Sequence, residues 1–382
     1  MAFKRSLQLR PLLERKSFFL LGPRATGKST LVADQLPEAL VYDLLDDDVY
    51  ARLLKRPRAL GEELAEVSAK RFVVIDEIQK LPILLDEVQR LIDKQGRRFL
   101  LTGSSARKLR RGGANLLAGR AWSAALFPLT FAEIPSFDLL RYLNRGGLPA
   151  VYPSEDYAEE LGSYANLYLR EEIVAEALVR KVDAFARFLD VIALSNGEEL
   201  HYQGISNDAG VPVRTVQSFV QILEDTLLGF TVSAFGATKR RKAITRPKFF
   251  SFDVGVTGAL ARRGEIRERS ELFWRAFEHF IALELRAYLG YRRRAEALSY
   301  WRSTSGFEVD FIVGDQLALE VKATRQVGEH DLRGLRALRE EGLLRRYAVV
   351  SLDEAKRKVD GVEVWPWKSF LSALWRDTLF TE

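Results

Sequence analysis

The 382-residue chain contains no cysteine, one methionine and only three histidines, His201, His279 and His330. Without thiols there is neither a disulfide nor a thiolate metal site. Three widely spaced histidines do not build a structural zinc site. No apolar run reaches the roughly 20 residues that a membrane-spanning helix needs. Residues 1–16 are basic and broken by charges, unlike a signal peptide. These absences lead to the expectation of a soluble, cytoplasmic protein with no membrane partner. Repeats and low-complexity tracts are missing as well. What is present is a modest basic excess, 58 Lys and Arg against 52 Asp and Glu, with a net charge of +6. That excess is too small to establish nucleic-acid binding by itself. The length suffices for two or three domains with substantial cores.

Residues 22–29 read Gly-Pro-Arg-Ala-Thr-Gly-Lys-Ser and match G-x-x-x-x-G-K-[ST] at every fixed position. An apolar run, Ser17 to Leu21, precedes them, and a helical pattern begins at Ser29-Thr30-Leu31-Val32. Strand, loop, helix is the setting of a phosphate loop. Gly22, Pro23, Arg24, Ala25, Thr26, Gly27, Lys28, Ser29 and Thr30 are therefore candidate nucleotide contacts. Loop N–H groups and the helix N-terminus face anionic oxygens. Lys28 reaches the β- and γ-phosphates of ATP, and the Ser29 hydroxyl ligates Mg²⁺.

Arg71 to Glu77 is an apolar strand ending in two carboxylates. Its continuous apolar character suits a buried parallel strand. Asp76 is placed to hold Mg²⁺ and Glu77 to polarise the attacking water. The adjacent pair points to hydrolysis as well as binding. A third strand, Arg98 to Ser105, ends in small polar residues, and Ser104 or Thr102 is the candidate γ-phosphate sensor. A helix-like stretch, Ala106 to Leu117, leads to Arg120 and to another strand, Trp122 to Leu129.

Several segments together resemble prokaryotic AAA-type ATPases of the AAA+/ASCE P-loop class, over nearly the full chain. They are Gly22-Pro23-Arg24, Ile75-Asp76-Glu77-Ile78-Gln79-Lys80, Leu101-Thr102-Gly103-Ser104-Ser105, Leu117-Ala118-Gly119-Arg120, Phe127 to Glu133 and Gly146-Gly147-Leu148-Pro149. In that group a long C-terminal region follows the P-loop domain. The resemblance implies an ATPase that acts with DNA, and it makes Arg120 a candidate arginine finger reaching a neighbour's γ-phosphate. The alternative for Arg120 is a surface cation at a helix C-terminus. A homo-oligomeric ring, a hexamer by preference, follows from the finger.

Residues 200–235 have the pattern of a helix-turn-helix: Ile205 to Ala209, the turn Gly210-Val211-Pro212, then Val213 to Asp225. Val216, Phe219, Val220 and Leu223 form one apolar stripe. Arg214 and Gln217 lie on other faces and are candidate DNA contacts. The run Lys239-Arg240-Arg241-Lys242 is a candidate wing tip. A solvated loop is the alternative.

The C-terminal region reads as a helix, Phe273 to Tyr288, and then strands. Among them Asp310, Glu320 and Lys322 stand in a D-x₉-E-x-K spacing. This resembles the PD-(D/E)xK nuclease signature, with Glu278 as a helix carboxylate and Val309 in place of the proline. A three-residue turn at 314–316 sets Asp310 opposite Glu320, with Lys322 on the same face. Two facing carboxylates suit Mg²⁺ or Mn²⁺.

The expected fold is α/β: a P-loop AAA-type parallel-sheet domain at 1–135, a helical connector at 136–180, a winged-helix domain at 181–250 and an α/β restriction-endonuclease-like domain at 251–382. The expected activity is ATP hydrolysis coupled to DNA, possible substrates including branched, Holliday-junction-like forms, with metal-dependent cleavage at the C-terminal site. A nucleotide-dependent switch or scaffold without cleavage is the alternative.

Overall fold

The computed structural model describes residues 3–105, 117–168 and 182–380. The expected helix at 106–117 falls, except for its last residue, outside the described residues. So does most of the helical pattern from Tyr164 to Arg180. The chain divides into two compact units, Met1–Leu129 with Ile222–Leu228, and Thr130–Gln221 with Gly229–Glu382.

The first unit is built on five strands: β1 (Ser17–Leu21), β2 (Leu40–Asp43), β3 (Val73–Asp76), β4 (Phe99–Gly103) and β5 (Ala121–Ala125). Their order is β2-β3-β4-β1-β5, and every neighbouring pair is parallel. β1 and β4 are buried at every position, as parallel strands covered on both faces must be. Phe19, Val73, Ile75, Phe99 and Leu101 share a core with Leu84, Leu85, Val88 and Leu91 of the helix Leu84–Gln95. Those helix positions recur at three and four residues, so one face supplies the whole contact. The placement of β4 between β1 and β3 brings its end, with Thr102 and Ser104, beside both the Gly22–Ser29 loop and the acidic pair.

The second unit holds an eight-stranded sheet ordered β12-β13-β11-β10-β9-β8-β6-β7. Its strands are β6 (Gly229–Ala234), β7 (Lys248–Ser251), β8 (Leu298–Arg302), β9 (Glu308–Val313), β10 (Leu317–Lys322), β11 (Arg346–Ser351), β12 (Arg357–Val359) and β13 (Val362–Pro366). The helix Glu271–Tyr291 starts at Ser270, whose hydroxyl accepts from Phe273 N at 3.1 Å. Trp301, Val309, Ile312 and Ala318 pack with Leu332, Leu335 and Leu338.

The helices Tyr202–Ala209 and Val213–Asp225 flank Gly210, whose φ of 63° fits a glycine turn. Val216, Phe219, Val220 and Leu223 are all buried. Phe219 meets Phe185 edge-on at 4.9 Å. The strands expected to form a separate wing have a second attachment. β6 and β7 pair antiparallel, and β6 also pairs with β8 through Ser233 and Ala234. The hairpin thereby extends the C-terminal sheet, because an unpaired strand edge is satisfied by the next strand. The expected boundary at 250 consequently falls inside β7.

Two of the motifs quoted above have an architectural basis. Asp253 accepts from Gly147 N at 2.7 Å and Val256 N at 2.9 Å. A Cβ on Gly146 would lie 2.1 Å from its Oδ1, so only glycine allows this approach. The Phe131-Ala132-Glu133 turn is held by Glu133 Oε2 on Thr130 N at 3.1 Å, and by Glu284 Oε1 on Phe131 N at 2.7 Å.

Candidate functional site

The phosphate loop runs from Gly22 to the helix Lys28–Gln35, with Ala25 and Gly27 at φ of 60° and 88°. Those two left-handed residues turn the loop back on itself. Gly22 is tightly placed: a Cβ there would sit 2.5 Å from Leu126 O. Lys28 donates to the carbonyls of Gly22 at 2.8 Å and Pro23 at 3.1 Å, folded back across the mouth of the loop. Thr26 Oγ1 donates to Pro23 O at 2.8 Å. Arg5, almost fully buried, donates to Thr26 O at 2.7 Å and to Phe127 O at 2.5 Å. Arg24 and Thr30 are exposed.

β3 delivers Asp76 to this loop. Ser29 Oγ donates to Asp76 Oδ2 at 2.9 Å, and Thr102 Oγ1 donates to Asp76 Oδ1. A hydroxyl and a carboxylate at that separation fit the oxygen set that Mg²⁺ takes beside a nucleotide. Ser29 and Asp76 would hold the ion, which would draw charge from the β- and γ-phosphates. Lys28 and the loop N–H groups would hold the phosphates themselves.

Glu77 follows in a left-handed conformation, φ 56° and ψ 43°. Its N–H lies 3.2 Å from both Asp76 Oδ1 and Thr102 Oγ1. Its Oε2 accepts from Gln79 Nε2, which also donates to Ser104 Oγ at 3.1 Å. The structure therefore brings Glu77, Gln79 and Ser104 into one chain of hydrogen bonds. Arg120 Nε pairs with Asp93 Oδ1 at 2.7 Å, and both side chains are over a third exposed or close to it, at 34% and 43%.

The C-terminal candidates also meet. Val313 pairs with Leu317 across the turn at Gly314, and Leu319 with Phe311. The next position along this register sets Asp310 opposite Glu320. Asp310 Oδ2 accepts from Val321 N at 2.8 Å, and Lys322 Nζ lies 2.6 Å from Glu320 Oε1. Glu278 comes from the helix. Its partner is a cation outside the D-x₉-E-x-K spacing: Lys248 Nζ lies 3.4 Å from Glu278 Oε1 and 2.7 Å from Glu308 Oε1.

Burial raises the carboxyls of Glu278, to about 7, and of Asp310, in each case against the pull of Lys248. Burial and the Asp310 charge push Glu320 well up. Burial alone would lower the Lys248 ammonium, yet Glu278, Asp310 and Glu308 outweigh it and hold it above its usual value. Among the described residues no three of His, Cys, Asp and Glu gather as a metal site would. One atom does suit a further cation, Glu320 Oε2, which is buried without a hydrogen-bond partner. The expected ion at Asp310 and Glu320 is thus only partly matched, because two lysines already supply positive charge to the cluster.

The candidate DNA contacts separate into two kinds. Arg214 and Gln217 are exposed on the helix Val213–Asp225, and Lys239, Arg240 and Lys242 are exposed in the turn. Arg241 is half-buried instead. It donates to Ala337 O at 2.9 Å, pairs with Glu340 at 2.7 Å and covers the Phe307 ring at 5.4 Å. The backbone N–H groups of Lys239, Arg240 and Arg241 all point at the Glu341 carboxylate, at 2.9–3.1 Å. The turn is folded onto its own unit, and Lys239, Arg240 and Lys242 stay exposed on it.

Residues 14–135 match a protein family described as an AAA domain. Residues 14–135 form an AAA-type P-loop domain. Residues 136–267 and 275–370 match two domains of unknown function (DUF8612 and DUF4143). The chain is 24% identical to an uncharacterized protein of Methanocaldococcus jannaschii (MJ1637), across 94% of this chain and 85% of that protein. It is 22% identical to an uncharacterized protein of Haemophilus influenzae, across 80% and 78%. Among solved structures, the Aeropyrum pernix ORC1 protein in complex with DNA is similar at 13% identity and a TM-score of 0.30, across 67% of this chain and 89% of that one. That likeness is too distant to bear on fold or function. Among the described residues no helix is long and apolar enough to cross a membrane.

Three residues were not legible as site residues. In the first unit Arg5 lies far upstream of the loop it braces, and Gln79 is one polar residue of the Ile75–Lys80 segment to which the sequence attaches no role. In the second unit Lys248 is a single lysine opening an apolar strand, Lys248-Phe249-Phe250-Ser251. Its position at the head of a run of buried residues is the signal that it too is buried.

Proposed function

We propose that this chain is an ATP-hydrolysing protein that binds DNA, works as a homo-oligomer, and uses nucleotide turnover to switch a C-terminal domain that binds without cutting. The observation that carries the ATPase reading is the convergence of Ser29 and Thr102 on the two oxygens of Asp76, with Glu77 next in sequence. In this reading Lys28 and the loop bind the phosphates, Asp76 and Ser29 orient Mg²⁺, and Glu77 takes the proton of the attacking water. Supporting the DNA reading are Arg214, Lys239, Arg240 and Lys242, all exposed in the second unit. Supporting the absence of cleavage is Lys248, whose ammonium pairs with Glu278, the helix carboxylate of the expected nuclease site, and with Glu308.

A second reading, metal-dependent cleavage, is favoured by the partnerless Glu320 Oε2 beside Asp310. One experiment separates the two. The protein is incubated with linear, forked and four-way-junction DNA, with and without ATP and Mn²⁺. DNA-stimulated ATP hydrolysis without strand breaks supports the switch. Mn²⁺-dependent nicking that is lost in Asp310→Ala supports cleavage. Lys28→Ala should lack ATPase activity, and Glu77→Gln should bind ATP without turning it over.

A further inference from the structure

We propose that Gln79 is a positioning residue that joins the γ-phosphate sensor Ser104 to the water-activating carboxylate of Glu77. The inference rests on the ATPase reading above and deepens it. Gln79 is only 4% exposed. Its amide nitrogen has two hydrogens, and the geometry divides them between Glu77 Oε2 and Ser104 Oγ. An ionised carboxylate accepts and does not donate, so the amide nitrogen, and not the oxygen, must face Glu77. Ser104 accepts from Gln79 through its oxygen. Its own O–H is then left to donate, which is what a group reading a phosphate oxygen needs.

The local backbone is arranged around this contact. Glu77 adopts a left-handed conformation, uncommon for a residue with a Cβ, and the short helix Ile78–Lys80 follows at once. That reversal turns residues 77 and 79 toward each other. Gly103 supplies the space: a Cβ there would lie 2.4 Å from Gln79 Oε1. The same Oε1 is buried without a hydrogen-bond partner, an arrangement that costs stability and is typical of functional sites. A side chain kept only for packing would not need this amide.

The consequence is a relay. When the Ser104 O–H donates to a phosphate oxygen, its oxygen becomes a stronger acceptor, and the Gln79 amide is polarised in turn. The second Gln79 hydrogen fixes the orientation of the Glu77 carboxylate toward the water. Both Gln79 hydrogens are engaged by Glu77 and Ser104, so it acts through them.

The test uses the full-length protein. Gln79→Leu removes both hydrogens at similar volume. We expect kcat to fall about 10- to 100-fold, the range for misplacement of a catalytic group, with little change in KM for ATP. Binding of a fluorescent ATP analogue and the melting temperature serve as controls. In a Glu77→Gln background, Gln79→Leu should have no further effect on turnover, and with Ser104→Ala its effect should be less than additive. Gln79→Glu places a second carboxylate beside the first, so the acidic limb of the kcat–pH profile should move to higher pH. If Gln79→Leu keeps parental kcat and Gln79→Glu keeps the parental profile while the parent hydrolyses ATP, the relay is overturned and the ATPase reading stands. Loss of analogue binding in Gln79→Leu and Gln79→Glu alike would also overturn it, showing a packing role. A parental protein as inactive as Lys28→Ala overturns both readings.

Discussion

The ammonium of Lys248 lies 3.4 Å from the carboxylate of Glu278, and both side chains are more than nine-tenths buried. The charge of Asp310, whose spacing from Glu320 suggests a metal, acts on both members of the pair. A buried cation with several carboxylate neighbours is held by them, and removing it leaves their charge uncompensated. Lys248→Met should therefore destabilise the protein by about 3–5 kcal/mol, the usual cost of breaking a buried pair. Mn²⁺ should raise the melting temperature of that variant more than that of the parent, because the ion can replace the lost charge. Equal responses to Mn²⁺ in calorimetry would show that Lys248 does not stand in for a metal.

Arg120 forms an ion pair with Asp93 that is partly exposed on both sides. Such pairs contribute about 0–1 kcal/mol, so the guanidinium can leave Asp93 at little cost. If it acts on a neighbour's nucleotide, mixing Arg120→Ala with Lys28→Ala should restore part of the ATPase activity that each lacks alone. Each variant supplies at the shared interface what the other has lost. No recovery over a range of mixing ratios would exclude action between subunits.

The exposed cations of the turn can be tested by salt. Lys239, Arg240 and Lys242 are exposed, while Arg241 is engaged with Glu340 and Ala337 O. Changing the first three to Gln removes up to three phosphate contacts. The slope of log affinity against log salt on duplex DNA should flatten by as much as about 2–3 units. Arg241→Gln should instead lower thermal stability, since it unfastens the turn from the second unit. A slope that does not change in the triple variant would place any bound DNA elsewhere.

How far the sequence was readable depended on distance along the chain. The phosphate loop, β3 and the strand pair β9–β10 are local patterns, and their elements lie within a residue or two of the spans read from periodicity. The pairing of Val313 with Leu317 follows from a three-residue turn, which glycine and alternation make visible. What could not be read is what arrives from far away. Lys248 meets Glu278 and Glu308 across separations of 30 and 60 residues, and Arg5 reaches Thr26 from another segment. Strand order has the same character: the pairing of β6 with β8 depends on which edge is free, not on any residue of either strand. Arg241 shows the limit of reading charge runs. Four consecutive cations look alike in sequence, and only packing against Phe307 and Glu340 sets one apart.

Glu284 yields a prediction about pH. It is fully buried in the helix Glu271–Tyr291, and its two oxygens accept from Phe131 N at 2.7 Å and Trp375 Nε1 at 2.6 Å. Burial raises its carboxyl to about 8, although both donors favour the ionised form. In the unfolded chain the same group titrates near 4.3. Between those values the folded protein keeps a proton that the unfolded chain has lost. Stability must then fall as pH rises through this window, by at most about 1.4 kcal/mol per pH unit. The contribution is fully present below the unfolded value and is gone above about 8. Glu284→Gln cannot titrate. At pH 5 it should be less stable than the parent, because its amide nitrogen faces one of the two N–H donors, at a cost of about 1–3 kcal/mol. Toward pH 8 the gap should close and can reverse, since the parent loses up to about 4 kcal/mol from this group and the variant does not. Chemical denaturation of both proteins from pH 5 to pH 8.5 reads the difference directly. Parallel curves across that range would mean that Glu284 is already ionised in the folded protein, held so by Phe131 and Trp375.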